Sequence, residues 1–398
     1  MTMRTLRYAS VAIVGIASLV VLVGCSSSGT TAPSALSLAK GTADVGDLAF
    51  APYADVTLTT PTVTAANMAA SGVTDFTLAF VTGAGGKCAP AWGSGTAREA
   101  TNAASAMQVI RDNGGQFIVS FGGAYAEISG MLDENCATVE DLAKAYVAIA
   151  DAYWPTGTPR IDFDIEGGES QNTDINLMRA QALKYIQDGT LDGTRSYSTD
   201  IQFSYTLATN PDLGAADLGA LVLKQVIGEG VHLASVNGMA MEYGNWYYDQ
   251  QQPRNANMGT YAIDVAKAIQ GQIKSMSAAA GRSLTDAEAW SMVRITPNIG
   301  ENNGEIDDSA HGIFTLGNAA TLRDFAAQKA EEGTPMGGLS MWSFDRDQPC
   351  TGTSTTVLEP ISGELWTKPK ADCVIAETQP YQFSSVFLGS AEPTDASP

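Results

Sequence analysis

The chain has 398 residues, 44% of them hydrophobic and 16% charged, with a formal net charge of −21. Such a composition suits a globular protein with a large core, and so acidic a surface repels phosphate backbones, which sets nucleic-acid binding aside. With only two histidines, His232 and His311, and no cysteine–histidine cluster, a histidine-built metal centre has no basis, and neither a metal nor a cofactor is expected.

In chain order the first element is an address. Arg4 and Arg7 precede an apolar run from about Ala9 to Val23, which ends in Leu-Val-Gly-Cys at Leu22–Cys25. A basic start, a short apolar run and small residues at its end read as a secretory signal. The final four residues resemble the lipobox of bacterial lipoproteins. Residues 1–25 are therefore expected to be a lipoprotein signal, with Cys25 lipid-modified and holding the protein to a membrane outside the cytoplasm. The Ser/Thr/Pro-rich stretch 26–46 reads as a flexible tether. Four further cysteines, Cys88, Cys136, Cys350 and Cys373, would then lie where disulfides persist. Four cysteines allow three pairings. Cys88–Cys136 and Cys350–Cys373 are favoured because each closes a short loop, with free buried thiols as the alternative.

Beyond the tether a short apolar run, a turn and a helical pattern recur. The strand candidates are 47–56, 74–83, 115–123, 159–168, 201–209, 233–244, 292–300 and 337–345, each rich in β-branched or aromatic residues. Most are nearly continuous in apolar character, as strands covered on both faces tend to be. Helical spacing marks 96–115, 138–154, 173–188, 260–281 and 318–332. Thr138 is the expected N-cap of the second of these, with Glu140 and Asp141 in its first turn. Eight strands alternating with helices predict a (β/α)8 barrel, one catalytic domain over 47–378. The rival, a doubly wound open sheet, lacks its Gly-rich turn after the first strand. Residues 379–398 are expected to be a disordered tail.

One strand carries chemistry. In Arg160–Gly168, RIDFDIEGG, the acids Asp162, Asp164 and Glu166 alternate with Ile161, Phe163 and Ile165. Residues at i, i+2 and i+4 of a strand share a face. The three acids therefore climb one face, from the barrel interior to the C-terminal mouth where active sites of this fold sit. Like charges so close cannot all ionise cheaply. Glu166, at the rim, is the natural proton donor, with Asp164 beneath it sharing protons. Calcium binding, or pairing with Arg160, is the competing structural use of such a row.

IDFDIEGG resembles the D-x-x-D-x-D-x-E strand of glycoside hydrolase family 18, the chitinase family, at the end of the fourth barrel strand. Its last three acids fall on Asp162, Asp164 and Glu166, while Pro159 stands where the first acid is usual. Ser120–Gly123 is similar to the family's S-x-G-G. Met241, Glu242 and Tyr243 match its M-x-Y-D, with Gly244 in the aspartate position. Trp342, in MWSFDRD, matches the tryptophan under the cleavage subsite. The resemblance implies a glycosidase for β-1,4-linked N-acetylglucosamine with Glu166 as acid and base. Asp164 and Tyr243 would hold the sugar's acetamido group, Asp162 would share a proton with Asp164, and Trp342 would stack under the ring. Met241 and Tyr53 are further candidates to line the site. Trp92 and the stretch Asn245–Asp249 are candidate sugar platforms. The expected partner is chitin or an N-acetylglucosamine oligosaccharide, and the expected state a monomer. The alternatives are an endo-β-N-acetylglucosaminidase acting on N-glycans and an inactive glycan-binding lipoprotein. The intact Glu166 weighs against the last.

Overall fold

The computed structural model describes residues 49–83, 85–124, 126, 130–189, 201–243, 258–301, 313–350, 355–358, 365–368, 373–374 and 377–393. Cys25, the tether and Asn245–Asp249 lie outside the described residues.

Eight parallel strands form the frame: β1 (Tyr53–Asp55), β2 (Phe76–Thr82), β3 (Phe117–Gly122), β4 (Arg160–Ile165), β5 (Gln202–Asn210), β6 (Leu233–Ala240), β7 (Val293–Pro297) and β8 (Gly338–Leu339). They pair in sequence order. The ring closes where Phe50 bridges Leu339 and the amides of Ala51 and Tyr53 donate to the carbonyls of Leu339 and Met341. All eight expected strands are present. The eighth is shorter than its apolar run, because the chain after Leu339 leaves the ladder for single bridges such as Asn298 to Trp342.

Helices follow the strands: α1 (Ala65–Ser71), α2 (Ala97–Asp112), α3 (Val139–Tyr153), α4 (Thr173–Gln187), α5 (Asp217–Gly228), α6 (Met258–Ala279), α7 (Asp286–Ser291), α8 (Leu316–Glu331) and α9 (Gln382–Phe387). Their starts follow local chemistry. The Thr138 hydroxyl accepts the Asp141 amide, as expected of an N-cap, and Thr96 with Glu99 forms a reciprocal capping box at α2.

The main apolar core lies between sheet and helices. On β4, Ile161, Phe163 and Ile165 are buried on that side. The Phe163 ring meets Tyr146 of α3 edge-on at 5.0 Å and lies 5.7 Å from Phe121 of β3. Ala51 and Ile118 form a small buried apolar cluster separate from that core. Ser120, Asp162, Ser204 and Thr206 are buried on the opposite face, where bulky branched layers usually fill such barrels.

Both disulfides form in the favoured pairing. Cys88–Cys136 joins the segments after β2 and β3, and Cys350–Cys373 closes the excursion after β8.

The expected disordered tail is a correction. Residues 382–387 form α9, and Phe383, Val386 and Phe387 are buried. Phe387 stacks on Phe50 at 5.1 Å. Asp347 accepts the amides of Phe383 (3.0 Å) and Ser384 (2.8 Å), capping the helix from 36 residues away in sequence. The polar ending misled because this cap is remote in the chain, whereas Tyr381 beside the helix makes no capping bond.

Candidate active site

The acid strand faces the lumen. Asp162 Oδ2 accepts from the hydroxyls of Ser120 on β3 (2.8 Å), Thr206 on β5 (2.9 Å) and Tyr53 on β1 (3.1 Å). Its Oδ1 accepts from Ser204 on β5 at 2.6 Å. A side chain on the fourth strand reaches the first only across the interior. Strand alternation then places Asp164 on the same face, and both aspartates are buried, at 2% and 4% exposure. Four hydroxyls aimed at one carboxyl replace the water it lost on burial.

Register explains the convergence. Ser120 pairs with Asp162 on one side and Ser204 on the other, while Gly122 and Thr206 flank Asp164. Gly122 has φ of +101°, and a Cβ there would lie 2.0 Å from the Asp164 carbonyl oxygen. Gly123 has φ of +74°, and its Cβ would sit 2.6 Å from the Phe80 ring. The two glycines therefore let β3 approach the acid strand and an aromatic side chain closely.

Above the acids stands an aromatic group. Half-buried Trp342 stacks on Phe80 at 5.7 Å, and Tyr53 lies 5.8 Å from Trp342 and 5.9 Å from Phe80. The peptides Ala79–Phe80 and Trp342–Ser343 are cis. Burial, and then the charges of Asp162 and Asp164, push the Tyr53 phenol well above its ordinary range, so it remains a donor at any working pH.

The remaining candidates stand at strand ends. Glu166 follows the last residue of β4 and is half-buried. Met241 and Tyr243 follow the end of β6; Met241 is half-buried, and Tyr243 is buried with its ring edge-on to Tyr261 of α6 at 5.9 Å. Between them Glu242 has φ of +58° and accepts from Asn298 Nδ2 at 3.2 Å. Asn298 Oδ1 accepts in turn from buried Arg346 at 2.5 Å. Asp345, also buried, accepts the Asp55 amide and the Thr62 hydroxyl, and burial raises its carboxyl to about 6.

Trp92 is no sugar platform. It is 3% exposed, and its indole donates to the Tyr153 hydroxyl at 2.8 Å, on the helix side of the sheet. Sequence reading missed Phe80, Ser204, Thr206 and Asn237 as members of this site. Ser204 and Thr206 carry the same i, i+2 signal as the acids, polar residues alternating with Phe203, Tyr205 and Leu207.

Buried acids ringed by hydroxyls beneath an aromatic surface can hold and pass a proton beside a flat ring. No family model matches the chain. It is 31% identical over 302 residues to a probable bifunctional chitinase/lysozyme of Escherichia coli (strain K12), covering 75% of this chain and 31% of that protein. It is 30% identical over 307 residues to endochitinase 11 of Metarhizium anisopliae, covering 76% of this chain and 53% of that one. The chain thus spans about a third and about half the length of these two relatives. Among solved structures, the catalytic domain of a hyperthermophilic chitinase from Pyrococcus furiosus superposes with a TM-score of 0.64 at 28% identity, covering 85% of this chain and 93% of that one. Mutants of active domain 2 of a thermostable chitinase from the same organism, complexed with chito-oligosaccharides, superpose with a TM-score of 0.63 at 29% identity. The chain accordingly has the (β/α)8 fold of a chitinase catalytic domain, and chitinases are its relatives by sequence.

Proposed function

We propose that the protein is a retaining glycoside hydrolase that cleaves β-1,4 linkages between N-acetylglucosamine units. One observation carries this reading: Asp162 lies at the base of a lumen-facing acid row, solvated by hydroxyls from β1, β3 and β5, in a fold shared with chitinases.

In this reading Glu166 protonates the scissile glycosidic oxygen. The substrate's acetamido oxygen attacks the anomeric carbon, so the protein supplies no nucleophile. Asp164 orients the acetamido N–H and offsets the positive charge that develops on the ring it forms. Tyr243 donates to the acetamido oxygen, and Asp162 shares a proton with Asp164. Trp342, flanked by Phe80 and Tyr53, carries the apolar face of the sugar. Glu166 then takes a proton from the attacking water, and the configuration is retained. The Leu22–Cys25 signal supports export and tethering through lipid on Cys25; Cys25→Ser should release the protein from membranes and end its labelling by radioactive fatty acid.

Glu166→Gln should lower kcat on chito-oligosaccharides at least 10²-fold while binding persists, because the amide keeps the shape and lacks the transferable proton. The wild-type product should appear first as the β-anomer by NMR. Prompt α-anomer, or unchanged turnover in the glutamine variant, would remove Glu166 from this role. An N-glycopeptide assayed in parallel, with products read by mass spectrometry, tests the glycan-core alternative.

A further inference from the structure

Two turns that carry proposed site residues are joined by one buried amide. The first follows β6, where Glu242, between Met241 and Tyr243, has φ of +58°. A left-handed backbone is unfavourable for a residue with a Cβ and persists where its surroundings hold it. The second follows β8, where Trp342 leads into the short helical turn Phe344–Arg346. Asn298, one residue past the end of β7, is 3% exposed. Its backbone bridges Trp342: the Trp342 amide donates to the Pro297 carbonyl at 2.8 Å, and the Ile299 amide donates to the Trp342 carbonyl at 3.0 Å.

The Asn298 side chain reaches both turns. Its Nδ2 donates to Glu242 Oε1 at 3.2 Å, and its Oδ1 accepts from Nη1 of buried Arg346 at 2.5 Å. The order of atoms is dictated by the partners. A guanidinium only donates and an ionised carboxylate only accepts, so a group spanning them needs an acceptor on one branch and a donor on the other. The fork of an asparagine amide offers both. Asn298→Asp would keep an acceptor for Arg346 but turn a second acceptor on Glu242, and a buried polar atom that loses its partner is costly. The backbone angle at Glu242 decides the direction of the next residue. A hold on the Glu242 side chain is therefore also a hold on Tyr243.

We propose that Asn298 is a positioning residue for the hydrolysis: by spanning Glu242 and Arg346 it fixes the left-handed turn, and so sets Tyr243 in place relative to Trp342. The inference rests on the hydrolase reading, in which Tyr243 donates to the acetamido oxygen. A merely structural asparagine, bracing β7 against its neighbours, would affect stability without acting through Tyr243.

The experiment measures kcat and KM on a soluble chito-oligosaccharide for wild type, Asn298→Asp, Tyr243→Phe and the double variant, with a urea midpoint for each. Asn298→Asp, equal in size, should lower kcat about 10²-fold, the order of effect of a misplacement near 1 Å. In the Tyr243→Phe background the same substitution should lower kcat by less than about threefold further, because residues that act through one another are not additive. Equal losses in the two backgrounds, or an unchanged kcat in Asn298→Asp, overturn the proposal and leave the hydrolase reading standing. Wild-type protein that cleaves no glycan overturns both. If Asn298→Asp does not fold, Glu242→Gln and Glu242→Ala replace it. Glutamine keeps an acceptor for Asn298 and alanine has none, so the alanine variant should be slower by about tenfold, the order of one lost hydrogen bond to a charged group. Equal kcat in those two variants overturns the proposal as well.

Discussion

Gly122 shows how closely a single backbone position is tied to the acids. Its φ of +101° and the 2.0 Å separation between a built Cβ and the Asp164 carbonyl oxygen leave no room for a side chain. The clash is with backbone, so rotamer changes do not relieve it. Gly122→Ala should therefore push β3 away from β4, break the register that sets Ser120 beside Asp162, and cost about 2–4 kcal/mol. The urea midpoint measures the loss, and kcat should fall further than stability alone explains. An alanine variant with wild-type midpoint and turnover would remove this constraint. At this scale the acid row itself was legible, because period-2 alternation is local. Phe80 and Asn237 were not, because nothing near them in sequence announces which strands they will meet. Trp92 was misjudged for a related reason: an aromatic residue after a strand can turn to the helix layer as readily as to the mouth.

At the scale of elements, all eight strands and the helices α2, α3, α4, α6 and α8 were readable from apolar periodicity, whereas the 12-residue α5 was missed. The short helices α1, α7 and α9 offer too few turns for that signal. α9 is held by partners far away in the chain. Phe387 stacks on Phe50 and lies parallel to Phe314 at 6.4 Å, and Asp347 supplies the cap. Removing residues 382–398 should uncover Phe50 and Phe314 and lose three buried apolar side chains. At about 1.5–3 kcal/mol each, the loss is roughly 5–9 kcal/mol, visible as a lower denaturant midpoint in the otherwise full-length protein. An unchanged midpoint would mean that α9 merely rests on the barrel.

At the scale of the whole molecule, several buried carboxyls are held above their ordinary range. Glu377 is 5% exposed; burial, then its neighbour Asp347, raise its carboxyl far above the ordinary glutamate range. Asp345 is raised to about 6 and Asp55 is raised as well, both mainly by burial. The folded protein therefore binds more protons than the unfolded chain over the window that opens at ordinary carboxyl values and runs up through neutrality. In that window the unfolded state holds fewer protons, so stability falls as pH rises. Burial lowers His232, which favours the folded state as pH rises, but that ring is exposed and its contribution is small. Exposed acids with lowered values, Asp286, Glu288 and Glu332, act only below the ordinary carboxyl range. Repulsion within a net charge of −21 acts in the same direction as Glu377. Melting temperature should accordingly be highest near pH 5 and decline toward pH 8. Glu377→Gln, which keeps a donor for Asp347 but cannot ionise, should melt with wild type near pH 5 and above it at pH 8. Parallel wild-type and variant curves would show that the proton on Glu377 does not govern the decline.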